Sequence, residues 1–206
     1  MQDPVALVTG ANRGIGREVS RQLAQHSYTI LLTARSLPKA EAAAQELGGS
    51  NLIPAQLDVT NPASIAALHD RVQHEFKRLD VLINNAAIHY DTWQRAVNAD
   101  LDVVQEALET NVYGPWRLCQ TFLPLLRQSL HPRIVNVSSG GGALNGMGGG
   151  TPAYSISKAA LNALTLMLAA ELRGEKILVN AVCPGWVATD MGGWGGYYRE
   201  GQPSPW

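Results

Sequence analysis

The sequence is short of cysteine, of excess charge and of long apolar runs, and each shortage excludes a class of protein. Its two cysteines, Cys119 and Cys183, lie far apart and form no Cys-x-x-Cys pair. A disulfide framework or a structural zinc site needs more cysteines at closer spacing. The five histidines show no metal-ligand spacing, so no metal is expected. Both thiols are expected to be reduced core residues.

Charge and hydropathy exclude further classes. The 206 residues include 16 basic and 17 acidic ones, for a net charge of -1. This balance provides neither the basic surface that attracts nucleic acid nor a polybasic patch for a membrane. The chain begins without a charged leader and apolar stretch, and no apolar run approaches about 18 residues. We therefore expect a soluble, cytoplasmic protein whose partners are small molecules or other proteins.

Short apolar runs alternate with helical patterns along the chain. The runs predicted to be strands are Val5–Thr9, Thr29–Ala34, Leu52–Leu57, Val81–Asn84, Ile134–Val137 and Ile177–Val182. This alternation favours an α/β fold, in which helices cover both faces of a parallel sheet. Pro54 removes a backbone donor from the third run, which is tolerated mainly at a sheet edge. In a doubly wound sheet of order 3-2-1-4-5-6 the third strand is that edge, and residues 1–206 suit one domain.

Caps and apolar faces predict the helices between these strands. One helix runs from Ser36 to Gly48, and the next begins at Asn61. A longer helix is predicted over about 111–127, and another over about 154–173. The last is apolar nearly all round, which predicts burial on more than one side. A homo-oligomer through the helices at about 111–127 and 154–173 is therefore a hypothesis, with a monomer as the alternative.

A glycine-rich turn, Thr9-Gly-Ala-Asn-Arg-Gly-Ile-Gly16, links the first predicted strand to a helix. Glycines there allow a tight turn and bring backbone N–H groups and a helix N-terminus close to a pyrophosphate. No Lys-Ser or Lys-Thr pair follows, so the turn does not indicate a nucleoside-triphosphate loop. Its position between strand and helix predicts a dinucleotide site, the alternative being a turn that only ends a strand.

Arg35 follows the second predicted strand, where dinucleotide folds place the residue that meets the adenosine ribose. An acidic residue there binds the free 2′-hydroxyl of NAD, whereas arginine accommodates the 2′-phosphate of NADP. Arg13 in the glycine turn supplies a second cation for that phosphate. Together the two arginines favour NADP(H), although each alone is also typical of a solvated surface.

Tyr154 and Lys158 are spaced four residues apart on a predicted helix, so their side chains share one face. A nearby cation favours phenolate and lowers the pKa of a tyrosine, which can then exchange a proton near neutral pH. Such pairs also occur by chance, so this pair needs support from the rest of the chain.

That support comes from an ordered set of motifs along nearly the whole chain. They are TGANRGIG at Thr9–Gly16, Leu57-Asp58-Val59, Asn84-Asn85-Ala86-Ala87, Asn111, Ser138-Ser139, Tyr154-xxx-Lys158 and Pro184-Gly185. The set resembles the short-chain dehydrogenase/reductase family, and most of all its carbonyl-reductase-like, NADPH-dependent members. The resemblance implies a Rossmann-type fold and an oxidoreductase that transfers a hydride from NADPH to an apolar aldehyde, ketone or quinone.

The resemblance also implies catalytic roles. Tyr154 would be the general acid in reduction, or the base in oxidation, and Lys158 would lower its pKa and hold the nicotinamide ribose. Ser139 would hydrogen-bond the substrate carbonyl, with Ser138 as the alternative. Asn111 would support Lys158 through a water-mediated relay, and its alternative role is a helix cap.

Contacts to the cofactor follow from the same resemblance. Asp58 would meet the adenine amino group, and Thr189 the nicotinamide carboxamide. The family pattern Asn-Asn-Ala-Gly reads Asn-Asn-Ala-Ala87 in this chain, which adds a methyl group near the cofactor. The residues expected to contact NADP(H) are Gly10, Asn12, Arg13, Gly14, Ile15, Gly16, Arg35, Asp58, Val59, Asn85, Ala86, Tyr154, Lys158, Pro184, Gly185, Val187 and Thr189.

Substrate contacts are less specified by the sequence. Met147 and Trp186, and also Leu144, Ile88 or Trp93, are candidates for an apolar wall, the alternative being ordinary packing. Related enzymes place a substrate lid after the sixth strand, and we expect it to be shortened over residues 186–195. The piece from Gly196 to Glu200 is expected to form a short seventh strand. With so short a lid, the alternative function is an NADP(H)-binding sensor or a degenerate relative with little turnover.

Overall fold

Six parallel strands form the sheet of this protein in a computed structural model, which describes residues 3–191 and the strand Tyr198–Arg199. The strands are Val5–Val8 (β1), Thr29–Ala34 (β2), Leu52–Gln56 (β3), Val81–Asn84 (β4), Arg133–Val137 (β5) and Leu178–Val182 (β6). Their spatial order is β3-β2-β1-β4-β5-β6, as the sequence predicts. Pro54 lies on β3, at one edge of the sheet, where its missing N–H costs no ladder bond.

The order of the strands reverses at β1, and this reversal positions the functional cleft. β1 pairs with β2 on one side and with β4 on the other, with Ala6 opposite both Ile30 and Val81. The loops after β1 and β4 therefore leave the sheet in different directions. Ligands of open α/β sheets bind in the crevice that opens there, at the carboxyl ends of the strands.

Helices cover both faces of the sheet. They are Gly14–Gln25 (α1), Leu37–Leu47 (α2), Pro62–Glu75 (α3), Leu101–Leu108 (α4), Gly114–Leu126 (α5) and Pro152–Glu171 (α6). Asn61 caps α3 as predicted, because its side chain accepts from Ala63 N and Ser64 N. The sequence patterns do not predict α4. A π-helical turn, Glu109–Tyr113, joins α4 to α5.

Two apolar layers hold the sheet between the helices. On one face, α3 and α5 bury side chains such as Leu68 and Phe122 against β1, β4 and β5, and α6 packs beside them on β6. On the other face, the alanines of α2 and residues of α1 cover β1 and β2. Strands buried on both faces need continuous apolar runs, which is why β1 reads Val-Ala-Leu-Val.

A short strand forms near the end of the described residues, as expected, but it lies outside the main sheet. It spans Tyr198–Arg199 (β8) and pairs in parallel with Val187–Ala188 (β7) in a separate two-stranded sheet. Within the described residues, the outer edge of β6 therefore carries no strand partner. Residues 192–195 of the predicted lid, and residues 196, 197 and 200 of the predicted seventh strand, lie outside the described residues. None of the helices in residues 3–191 has the length and hydropathy needed to span a bilayer.

Candidate functional site

The glycine turn after β1 brings backbone close to the start of α1. Gly10 and Gly14 have positive φ angles of 61° and 54°, which glycine adopts without strain. Gly16 is needed for space, because a Cβ there would lie 2.4 Å from Nδ2 of Asn85. Neither a side-chain cap nor an acidic residue occupies the first turn of α1, so its N–H groups suit an anion.

Thr9 and Asn85 hold this turn against β4. Oγ1 of Thr9 accepts hydrogen bonds from the backbone N of Asn85 and of Ala86, each at 2.9 Å. Nδ2 of Asn85 in return donates to the carbonyl oxygens of Thr9 and Gly10. The sequence motifs predict a cofactor contact for Asn85 but no role for Thr9. The sequence around Thr9 shows only that a polar residue ends the strand. The Asn85 side chain therefore shapes the turn itself.

A cavity of about 640 Å³ opens above the carboxyl ends of β1, β4 and β5. Among the predicted catalytic residues, Ser139, Tyr154 and Lys158 line it. The predicted cofactor contacts that line it are Gly10, Asn12, Arg13, Gly14, Ile15, Arg35, Asp58, Val59, Asn85, Ala86, Pro184, Gly185, Val187 and Thr189, joined by Ala87. Gly16 packs beneath the turn, outside the lining. The fold thus brings nearly all of the predicted site to one cleft.

Positively charged side chains lie at one end of this cleft. Arg35 and Lys39 lie at the end beside α2, where a phosphate would meet positive charge. Arg13 lines the cleft and pairs with Asp190, whose Oδ2 lies 2.7 Å from Nη1 of Arg13. Asp58 accepts from the backbone N and the hydroxyl of Thr60. The glycine turn and the polar groups that line the cleft fit a nicotinamide dinucleotide.

Tyr154 and Lys158 lie at the other end, one turn apart on α6. The ammonium group of Lys158 donates to the carbonyl oxygen of Val137 at 2.7 Å and lies 5.6 Å from the centroid of the Tyr154 ring. Burial lowers the pKa of Lys158 to about 8, because the charged form loses its hydration. The amine therefore stays mostly protonated at neutral pH.

The pKa of Tyr154 differs from the sequence-based expectation. Lys158 was expected to lower it, but burial of the phenol raises it, and a hydrogen bond with Ser139 acts in the opposite direction. Tyr90 and Cys183 also raise it. The expectation was wrong for this arrangement because burial dominates and the ammonium group points at a backbone carbonyl. The phenol consequently carries its proton at neutral pH.

The two serines after β5 point in different directions. Oγ of Ser138 is turned into the fold and donates to Oδ1 of Asn162 at 2.6 Å. Oγ of Ser139 accepts from the backbone N of Gly141 at 3.1 Å and lies beside the phenol of Tyr154, whose pKa it lowers. The geometry therefore favours Ser139, the first choice from the sequence, as the serine that faces a substrate carbonyl.

Asn111 lies behind the cleft, inside the π-helical turn, and so does not cap a helix. Its Oδ1 accepts from the backbone N of Ile88, and its Nδ2 donates to the carbonyl oxygen of Ile88 and to Oγ of Ser157. Ser157 donates onward to the carbonyl oxygen of Tyr154. Asn111 thus connects the loop after β4 to α6, and its role in a proton relay stays a prediction.

The predicted apolar wall is partly wrong. Trp186 and Ile88 line the cleft, but Met147, Leu144 and Trp93 lie outside it with much of their surface exposed.

The two cysteines lie in different environments. Cys119 is buried as expected, whereas Cys183 is exposed and lines the cleft, where its sulfur accepts a hydrogen bond from Gly140 N. The strand ends at Val182, so Cys183 already belongs to the loop that borders the cleft.

The loop after β4 contributes two residues that the sequence motifs do not mark. The ring of Tyr90 packs edge-on against Tyr154, with centroids 5.2 Å apart, and against Trp186 at 5.5 Å. Asp91 is fully buried beneath the start of α6. A polar residue beside an aromatic one in a loop is too common to indicate such a role from sequence alone.

Comparison with known proteins agrees with this geometry. The chain is 34% identical to (+)-neomenthol dehydrogenase of Arabidopsis thaliana over 90% of this chain and 83% of that protein. It is 36% identical to "Carbonyl reductase [NADPH] 1" of Mus musculus, over 92% of this chain and 84% of the relative. The crystal structure of NADPH-bound carbonyl reductase from chicken fatty liver superposes with a TM-score of 0.85 at 36% identity, covering 94% of this chain and 83% of that one.

The family model described as short chain dehydrogenase matches residues 4–194, which is almost the whole chain. Family members are oxidoreductases that use nicotinamide cofactors on small molecules. The doubly wound sheet, the glycine turn at its switch point and the Tyr154–Lys158 pair are consistent with this match. The chain therefore belongs to the short-chain dehydrogenase/reductase family.

Proposed function

We propose that this protein reduces the carbonyl group of a small apolar aldehyde, ketone or quinone, with NADPH as the hydride donor and Tyr154 as the proton donor. One observation carries the proposal: a protonated phenol lies in the cleft, with Ser139 beside it and Lys158 one helical turn away. Apolar and aromatic side chains, including Ile88, Tyr90 and Trp186, line the same end of the cleft. They suit an apolar substrate.

Each side chain has a task in this reaction. A bound NADPH supplies the hydride. Ser139 donates a hydrogen bond to the substrate oxygen and so stabilises the negative charge that develops there. Tyr154 gives its proton to that oxygen, and its raised pKa keeps the proton available at neutral pH. Lys158, mostly protonated and 5.6 Å from the centroid of the Tyr154 ring, would hold the nicotinamide ribose of the bound cofactor beside the phenol. The protonated phenol is the form that reduction requires.

The preference for NADPH over NADH rests on the cations of the cleft. Arg13, Arg35 and Lys39 line it, and no carboxylate follows β2 at the position that would bind a free 2′-hydroxyl. Mouse carbonyl reductase carries NADPH in its name, and the chicken enzyme was crystallised with it. Both support the same cofactor for this chain.

The function is tested by NADPH consumption with a panel of apolar aldehydes, ketones and quinones. Tyr154→Phe removes only the hydroxyl, so we expect activity to fall at least about 100-fold while NADPH still binds. Tyr28→Phe, which loses a hydroxyl far from the cleft, serves as the matched control. In titrations of the wild type, NADPH should bind more tightly than NADH.

Three outcomes would contradict parts of the proposal. Turnover that survives in Tyr154→Phe would remove Tyr154 as the proton donor. Equal affinity for NADH and NADPH would remove the assigned cofactor preference. NADPH binding without Tyr154-dependent turnover of any carbonyl compound would instead favour a cofactor-binding sensor.

A further inference from the structure

The first turn of α6 receives no cap from its own sequence. Thr151 precedes the helix in a left-handed conformation (φ 48°, ψ 49°), and its side chain accepts from no backbone N–H of the turn. Pro152 has no N–H, so Ala153 and Tyr154 are the first residues whose N–H groups need acceptors. Because Tyr154 carries the phenol of the site, whatever satisfies its N–H also sets its position.

Asp91 satisfies both groups from a loop that is 62 residues earlier in the chain. Its Oδ2 accepts from Ala153 N at 3.0 Å, and its Oδ1 accepts from Tyr154 N at 3.0 Å. The side chain is fully buried. A carboxylate at the N-terminus of a helix also gains from the helix dipole, and bonds to a charged acceptor are stronger than neutral ones.

Neighbours of Asp91 fix it in turn. Nε2 of Gln94 donates to Oδ2 of Asp91 at 3.1 Å, and Oε1 of Gln94 accepts from the backbone N of Asp100 at 2.6 Å. Asp100 caps the start of α4. The ring of Tyr90 meanwhile packs on the ring of Tyr154. One short loop therefore contacts both the backbone and the side chain of Tyr154.

We propose that Asp91 is a positioning residue for the reaction: its carboxylate holds the backbone of Tyr154, and with it the phenol, in place for proton transfer. The inference rests on the function proposed above, since it takes Tyr154 as the proton donor. Three N–H donors converge on the two oxygens of Asp91. An amide has only one oxygen. With Asn at this position, the NH₂ group would face at least one of the three N–H donors, and that donor would lose its acceptor.

Asp91→Asn in the full-length protein tests this role. We expect kcat to fall about 10- to 100-fold, the cost of small displacements of a reacting group. The dissociation constant of NADPH should change less than about twofold, because Asp91 lies outside the cleft lining. The solvent deuterium isotope effect on kcat should rise, and the amides of Ala153 and Tyr154 should exchange faster with solvent.

Glu106→Gln is the matched control. It removes the negative charge of Glu106, whose Oε2 lies 2.7 Å from Nε2 of His89 and ties the same loop to α4 rather than to α6. We expect wild-type kcat and wild-type exchange at Ala153 and Tyr154. Gln94→Leu leaves both backbone bonds to Asp91 in place and should lower kcat by a smaller factor, which provides a test even if Asp91→Asn does not fold.

Two results would overturn the inference. One is a wild-type kcat and unchanged exchange in Asp91→Asn; the other is an equal loss of kcat and of NADPH affinity, which indicates a general structural role. If the wild type shows no Tyr154-dependent turnover, the proposed function fails. The exchange of Tyr154 N–H then still decides whether Asp91 holds this residue.

Discussion

At the scale of single residues, the ammonium group of Lys158 lies almost fully buried beneath the cleft and donates to the carbonyl oxygen of Val137. One backbone acceptor replaces only part of the hydration that the charge loses on folding. The pKa of Lys158 therefore falls to about 8 in the folded protein, whereas it stays near the ordinary value of 10.5 when the chain unfolds.

This shift predicts a pH-dependent stability. Below about pH 8 Lys158 is charged in both states, and the folded state bears the cost of burial. Between about pH 8 and 10.5 the folded state has released this proton while the unfolded state still holds it, so stability rises with pH. We expect the free energy of unfolding of the wild type to increase by up to about 3 kcal/mol relative to Lys158→Met across this window.

Urea denaturation measures the difference in the free energy of unfolding between the wild type and Lys158→Met. The pH values should span about 7.5 to 10.5, the range over which the pKa of Lys158 shifts on folding. Other ionisable groups titrate alike in the two proteins, so their contributions cancel in the difference between the two free energies. Lys39→Met, at an exposed position of α2, is the control and should follow the wild type. A difference between wild type and Lys158→Met that stays constant with pH would contradict the prediction.

At the scale of elements, the turn Gly140–Gly142 lies directly against α6. A Cβ at Gly142 would lie 2.6 Å from the carbonyl carbon and 2.8 Å from the Cβ of Lys158. A Cβ at Gly140, two residues earlier in the same turn, would meet nothing within 4 Å. Glycine at 142 thus lets the turn that carries Ser139 approach the helix that carries Tyr154 and Lys158.

Gly142→Ala should therefore push the turn and the helix apart at the active site. We expect a loss of about 1–3 kcal/mol in the free energy of unfolding, the usual cost of overpacking, and a fall in kcat. Gly140→Ala, the matched control, should change either quantity little. Equal effects of the two variants on denaturation and turnover would show that the close approach does not matter.

At the scale of the whole molecule, apolar side chains remain on the outer surface of α5 and α6. Leu166 and Met167 of α6 are 73% and 64% exposed, and Trp116 of α5 is exposed as well. Exposed apolar groups on neighbouring helices are typical of interaction surfaces. They support the proposal that two copies of the chain associate through these helices.

Replacing Leu166 with Glu should then convert an oligomer to a monomer, because the carboxylate would lose its hydration at the interface. Sedimentation velocity of the wild type and the variant measures the change. Leu130→Glu changes an even more exposed leucine just after α5 and should leave the oligomer intact. A wild type that sediments as a strict monomer would contradict the proposal.

Much of the fold could be predicted because its signals are local. Continuous apolar runs predicted all six strands of the sheet to within one residue at either end, and Pro54 predicted which strand lies at an edge. α4 was not predicted, because the predicted helix in this part of the chain begins only at about residue 111, after α4 has ended. The π-helical turn between α4 and α5 has no sequence pattern of its own.

By itself, the sequence determined the order of the elements, the glycine turn and the spacing that places Tyr154 and Lys158 on one helical face. These features depend on residues a few positions apart. Only the tertiary structure decided that Ser139 faces the phenol, that burial raises the pKa of Tyr154, and that Asp91 caps α6. These depend on burial and on contacts between distant residues, which chain packing creates and local sequence patterns do not encode.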